Sequence, residues 1–173
     1  CVVKLTQCHS NRIEVLDFFP QSRRTLYSIH SADAVISNQS QLSLVVKTAD
    51  CLPILMWHPK GWMAAIHAGR KGTEQHILAR CLAVFIQCIQ TVQNISLWFG
   101  PAICRSCYEI NSELSLHYDL IFENMQQLKA MVDLSVTSLY FSTQCTVCSD
   151  RFHSYRKHQK TACRNLSSIR LLS

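Results

Sequence analysis

Cys51, His67 and His9 are residue types that hold a metal or build a nucleophile, and the stretch around the first two shows how they could meet. Lys47 to Thr73 reads KTADCLPILMWHPKGWMAAIHAGRKGT, patterned as strand, tight turn, strand, loop and the start of a helix. The turn is Pro59-Lys60-Gly61, and Trp62-Met63-Ala64-Ala65-Ile66 then returns His67 to the level of Cys51. Pro53 has no N–H to donate, so the backbone is expected to leave regular pairing there and to present the Cys51 thiol rather than pack it. His9 lies in Gln7-Cys8-His9-Ser10, a polar loop that no packing argument demands. Two imidazoles and one thiolate form a ligand set that zinc uses in catalytic centres, with the fourth position left to water. No two of the three make a local zinc pair, so ordinary core or surface histidines stand as the alternative. A Cys51 nucleophile activated by His67, as in Cys-His hydrolases, is the third reading. His9 separates the last two, because a metal needs it within bonding distance and a thiol nucleophile does not.

Two further patterns carry chemistry. After His67, Ala68-Gly69-Arg70-Lys71-Gly72-Thr73 leads into a helix, so N–H groups near Gly72 and the charges of Arg70 and Lys71 are expected to suit an anion. Later, Cys104-x-x-Cys107 and Cys145-x-x-Cys148 have the spacing at which four thiolates close a structural zinc site. Against that, Arg105-Ser106 lacks the glycine-rich knuckle of zinc ribbons and Cys107 runs straight into strand-like Tyr108-Glu109-Ile110, which leaves small packed thiols as the bland reading.

The elements that must position these groups follow from the apolar pattern. Val2–Gln7 and Arg12–Phe18 read as strands around the turn Cys8–Asn11, Thr25–Ile29 and Ala34–Ser37 as shorter extended pieces, and Leu42–Thr48 as a buried strand. From Gly72 to about Val92, Ile77, Leu78, Cys81, Leu82, Phe85, Ile86 and Ile89 recur at the spacing of one long amphipathic helix. Ile95–Phe99 is a strand, Asn111–Met125 a helix capped by Asn111 or Ser112, and Gln126–Val132 a second short helix; Ser138–Ser142 and Ser167–Leu172 are the final strands. Strands and helices mix without repeats or strict alternation, which predicts an α/β (α+β) fold of mixed sheet with helices outside, as one domain over residues 1–173.

Composition sets the outer bounds. With 48% apolar and 16% charged residues the chain can bury a core and is not disordered. The net charge of +6 is scattered except in the last quarter, where aromatic interleaving is thin; a solvated basic face is expected there, not a nucleic-acid site. Cys81 and Cys88 sit inside an apolar helix pattern and no secretory h-region is visible, so the ten cysteines point to a reducing, cytoplasmic setting. Apolar runs fall far short of a bilayer span, and no membrane partner is expected. The chain opens at Cys1 without an initiator Met, and is read as a fragment or a shortened chain.

Taken together, Gln7-Cys8-His9-Ser10, Ser31-Ala32-Asp33-Ala34, Thr48-Ala49-Asp50-Cys51-Leu52-Pro53, His67-Ala68-Gly69 with Gly72-Thr73, Gly100-Pro101-Ala102-Ile103, Tyr108-Glu109-Ile110, Cys145-Thr146 and Phe152-His153-Ser154-Tyr155-Arg156 occur in an order that resembles the laccase-domain family, also called the multicopper polyphenol oxidase or YfiH-like family. The resemblance implies layered mixed sheets with flanking helices and a metal held by His9, Cys51 and His67. It implies a zinc-dependent purine nucleoside phosphorylase, with adenosine deaminase activity, acting on adenosine, inosine, guanosine and methylthioadenosine as a monomer or homodimer. Zinc supplies Lewis acidity for a water directed at C6 of adenine or for a phosphate directed at C1′ of ribose. Arg70, Lys71 and Arg156 are the implied phosphate contacts. Asp50 and Glu109 are candidates for proton transfer or for supporting the ligands, with support the expected role for Asp50 beside Cys51.

The family's older name raises copper. A laccase needs three more coppers held by paired histidines, and His30, His58, His76, His117, His153 and His158 contain no H-x-H pair, so zinc is expected. The sequence also departs from the family pattern. Trp-Arg after H-A-G is replaced by Arg70-Lys71, which exchanges a planar fork for a point charge; Lys157 and Cys163 replace an Arg and a Gly. Family members carry some tens of residues before the Q-x-H motif that resemble part of the substrate wall, and the chain starts just before that motif. A non-catalytic metal-binding or interaction domain is therefore the rival reading. The resemblance places the two C-x-x-C pairs on separate functional loops, so no structural zinc is expected there.

Overall fold

In the computed structural model, which describes residues 1–17 and 26–172, the first six strands alternate between two sheets. β1 (Val2–Thr6), β3 (Leu26–His30) and β5 (Ser43–Thr48) lie parallel in one sheet, and β12 (Asn165–Ile169) joins it antiparallel to β5. β2 (Ile13–Leu16), β4 (Ala34–Ser37) and β6 (Leu52–His58) belong to the other, with β7 (Trp62–Ala68), β8 (Ile95–Phe99) and β11 (Thr137–Phe141), in the order β11-β8-β6-β7-β4-β2. β9 (Glu109–Asn111) and β10 (Leu116–His117) form a small separate ladder. The helices are α1 (Arg70–Glu74), α2 (Ile77–Ile89), α3 (Leu120–Lys129) and α4 (Tyr155–His158).

The layering follows from β6 and β7, which are apolar on both faces because both faces are covered. Leu52, Ile54, Met56, Ala64 and Ile66 pack with Leu78, Leu82 and Phe85 of α2 on one side. Leu55, Met63 and Ala65 pack with Val3, Leu5, Leu44 and Val46 of the four-stranded sheet on the other. Each of the larger side chains contributes about 1.5–3 kcal/mol by leaving water, and together they fix the two sheets face to face. Among the described residues no helix is long and apolar enough to cross a membrane.

The layered mixed-sheet architecture is the one the resemblance implies, but several elements differ from the sequence reading. β1 and β2 are not partners around a turn; residues between them cross from one sheet to the other. The long helix from Gly72 is two helices, broken where His76 adopts φ 60. Pro53 does not end the pairing: it sits in β6 opposite His67, and its carbonyl accepts the Gly100 N–H at 2.9 Å. A strand residue's N and O face the same edge, so the missing donor falls where β8 has already ended. Asn111 caps no helix. It closes β9 and accepts from Leu114 N in a turn, while the helix begins after Asp119, which accepts from Phe122 N at 3.0 Å. α3 runs on to Lys129, which absorbs most of the expected second helix. Phe18 and Thr25, ends of two expected strands, lie outside the described residues.

Candidate metal centre

Three chain segments cross between the sheets on the same side of the molecule: β1 to β2 through Gln7–Arg12, β3 to β4 through Ser31–Asp33, and β5 to β6 through Ala49–Cys51. They deliver His9, Asp33 and Cys51 respectively, and the end of β7 delivers His67. Each crossover contains one non-glycine residue with positive φ, at His9 (59), Ser31 (56) and Asp50 (88). Such conformations are uncommon and persist where the surroundings hold them, as here around a shared centre.

His9, Cys51 and His67 each bring a ligand atom to within 4.8 Å of the other two, and Cys51 Sγ is 3.8 Å from His9 Nε2. A zinc ion with bonds of about 2.3 Å to sulfur and 2.0–2.1 Å to nitrogen separates such atoms by about 3.5 Å, so the set fits one tetrahedral ion with little movement. Gly69 makes the room: a Cβ there would stand 3.0 Å from both Cys51 Sγ and His9 Cδ2. The residue after β7 must therefore lack a side chain if three ligands are to share one ion.

Asp33 organises the site, and sequence reading missed it. Fully buried, it receives His67 Nδ1 at 2.7 Å and His9 N at 3.0 Å on one oxygen, and Ser10 N at 2.7 Å and Ser10 Oγ at 2.8 Å on the other. Burial alone would push its carboxyl up, but these bonds, His67 foremost, hold it well below the usual range. The bond to Nδ1 selects the tautomer and turns Nε2 of His67 toward Cys51. Burial pushes His67 down, yet Asp33 and the Cys51 thiolate raise it to about 9. Burial likewise pushes the Cys51 thiol up, and hydrogen bonds to His67 and His9 bring it down to about 6. Without an ion the pair is therefore thiolate and imidazolium near neutrality. The signal for Asp33 was an acidic residue flanked by alanines immediately before a fully buried strand.

His9, Cys51 and His67 open into a cleft of about 910 Å³. Its walls carry five cations, Lys47, Arg70, Lys71, Arg156 and Arg164, against the single acid Asp50, together with the rings of Tyr108 and Tyr155. Burial, then the Cys51 charge, push the Tyr108 phenol up, so it remains a protonated donor. The Arg156 guanidinium stacks 5.7 Å from the Tyr108 ring and donates to the Glu109 carbonyl at 2.7 Å. Arg70 pairs with Glu74 at 3.1 Å across one turn of α1. Gly72 is buried, with its α-carbon facing the Ser10 carbonyl, so the helix N-terminus lies earlier, at Gly69.

Asp50 holds loops, not ligands: its carboxylate accepts from Thr146 Oγ1 at 2.7 Å and Arg156 N at 2.6 Å, and its carbonyl from Ile103 N at 2.9 Å. Glu109 enters through its carbonyl, and the cleft wall at this place is Tyr108. The two C-x-x-C pairs do sit on separate loops, as expected, but the loops touch, and all four sulfurs gather within 4.8 Å of one another. Among the described residues the remaining histidines join no group of three or more possible metal ligands.

A family model described as multi-copper polyphenol oxidoreductase laccase matches residues 1–130. The chain belongs to this laccase-domain family. It is 32% identical over 171 residues to a purine nucleoside phosphorylase of Campylobacter jejuni, covering 92% of this chain and 73% of that protein. A purine nucleoside phosphorylase of Aquifex aeolicus is 31% identical, with 81% of this chain and 71% of the relative covered. Among solved laccase-domain folds, YlmD from Geobacillus stearothermophilus superposes with a TM-score of 0.83 at 25% identity, over 96% of this chain and 72% of that one. The hypothetical protein YfiH of Bacillus licheniformis gives the same TM-score at 23% identity, over 99% and 74%.

Proposed function

We propose that the protein is a zinc-dependent purine nucleoside phosphorylase whose metal is held by His9, Cys51 and His67. The observation that carries this reading is the meeting of that ligand trio with a cleft walled by five cations and two tyrosine rings. Support comes also from relatives named purine nucleoside phosphorylase at about 30% identity. A bound zinc supplies Lewis acidity at the reacting centre.

The chain's own residues do the rest. Lys71 and Arg156 bind inorganic phosphate, and Arg70 joins them when its guanidinium leaves Glu74. Tyr108 and Tyr155 flank the purine, whose faces stack on aromatic rings. Phosphate oxygen forms a bond to C1′ as the C1′–N9 bond breaks, and the base leaves with the electron pair and takes up a proton. Asp33 keeps Nδ1 of His67 protonated throughout, so Nε2 stays aimed at the metal position.

Purified protein incubated with adenosine, inosine, guanosine or methylthioadenosine, with and without phosphate, tests this directly. Free base that appears only with phosphate supports phosphorolysis, and Lys71→Ala is expected to raise the phosphate KM several-fold. Inosine formed from adenosine without phosphate assigns the site to deamination, and no product from any nucleoside leaves a binding domain. Free base formed equally with and without phosphate, and undiminished by a strong chelator, assigns hydrolysis to Cys51.

A further inference from the structure

We propose that Cys104, Cys107, Cys145 and Cys148 form a second metal centre, a structural zinc site of four thiolates that clamps together the two loops walling the cleft. The four Sγ atoms lie within 4.8 Å of one another, and Cys107 and Cys148 approach to 3.5 Å. Bonds of about 2.3 Å place the sulfurs of a tetrahedral zinc about 3.8 Å apart, so the observed cluster needs only small adjustments to close on an ion.

Both loops are shaped for this. Cys104 begins a tight turn in which its carbonyl accepts from Cys107 N and Tyr108 N, each at 3.0 Å, and Cys145 begins another in which its carbonyl accepts from Ser149 N at 3.1 Å. The loops are joined by a bridge between Ala102 and Cys145, by Thr146 N donating to Ala102 O at 3.1 Å, and by Cys104 N donating to Cys145 Sγ at 3.3 Å. Glycine is not required in the first turn, which is why Arg105-Ser106 is no obstacle.

Packing explains at most one of these thiols, Cys107, which lies partly buried against the core. Cys81, which does pack, is fully buried in the core, whereas Cys104, Cys107 and Cys145 are half-exposed and Cys148 is exposed. Four sulfurs gathered at one point are the ligand set of a closed tetrahedral zinc site. The site's consequence reaches the cleft: Tyr108 follows Cys107 directly, and Thr146 holds the Asp50 carboxylate that receives Arg156 N.

Metal analysis of the reduced full chain decides the matter. Wild type is expected to hold two zinc ions per chain, His67→Ala one, and Cys104→Ser/Cys148→Ser also one. Because the serine variant risks unfolding, cobalt-loaded His67→Ala provides a second readout, with the intense thiolate charge-transfer and tetrahedral d–d bands of a four-sulfur site. His67→Ala that retains no metal overturns the proposal, as does wild type with a single zinc lost in that variant, or a chain carrying iron in the cluster. A Cys107–Cys148 disulfide in freshly isolated, metal-poor protein overturns it as well. The count at this cluster does not depend on whether nucleosides are turned over.

Discussion

Asp33 places both carboxylate oxygens on the loop and strand that carry two of the three ligands, so its charge sets ligand geometry and local stability together. Hydrogen bonds to a charged group contribute about 1.5–3 kcal/mol each. Asp33→Asn keeps the shape, removes the charge and sets an amide donor against donors. It is expected to weaken zinc binding by about 10–100-fold in competition with a chromophoric chelator. The Cys51–His67 pair gives a pH prediction for metal-free protein. The Cys51 contribution to stability is absent below about 6, grows above it and is complete above its ordinary 9.0. The His67 contribution is complete below its ordinary 6.5 and is lost as pH rises through about 9. The two oppose each other between those limits, so global unfolding is an insensitive readout and thiol reactivity is the sensitive one. Alkylation of Cys51 in metal-free protein, followed by peptide mass analysis, is expected to reach half its maximal rate near pH 6, and His67→Ala is expected to move that midpoint upward.

Elements bring these residues together, and here the sequence was only partly legible. The β6–β7 hairpin could be read because its turn and its continuous apolar runs are local, and so could the nearness of Cys51 and His67, although the residue directly opposite His67 is Pro53. The crossovers could not, because whether residues after a strand turn back or pass to another sheet depends on partners far along the chain. The helix misplaced onto Asn111 shows the same limit: its cap-like side chain serves a turn just as well, and the choice fell to Asp119. α1 is short and wedged. A Cβ on Gly72 would lie 2.8 Å from the Ser10 carbonyl, a backbone atom that cannot rotate away. Gly72→Ala is therefore expected to cost about 1–3 kcal/mol, seen as a lowered denaturant midpoint. Gly69→Ala meets a thiol and an imidazole instead, and is expected to leave the midpoint of metal-free protein nearly unchanged while lowering bound zinc at the His9 site.

Across the molecule, two sheets joined by three crossovers bring His9, Cys51 and His67 together at one edge, beside a cleft that Arg70, Lys71 and Arg156 line with positive charge. His9, Cys51 and His67 were legible as a set because the motifs that carry them keep a familiar order. Asp33, Tyr108 and Tyr155 were passed over as site residues because their roles rest on contacts between distant segments. The C-x-x-C pairs are legible as a zinc pattern, but the sequence does not show that the fold pairs the two loops that carry them. In the proposed function the metal at His9, Cys51 and His67 serves phosphorolysis of a purine nucleoside. Phosphorus NMR of inosine and phosphate with zinc-loaded wild type, beside His67→Ala, is the decisive measurement. Ribose 1-phosphate appearing in equal amount with free hypoxanthine, and falling by at least about 100-fold in the variant, is the predicted result. Ribose 1-phosphate formed equally by both proteins, or hypoxanthine released without it, would contradict the claim.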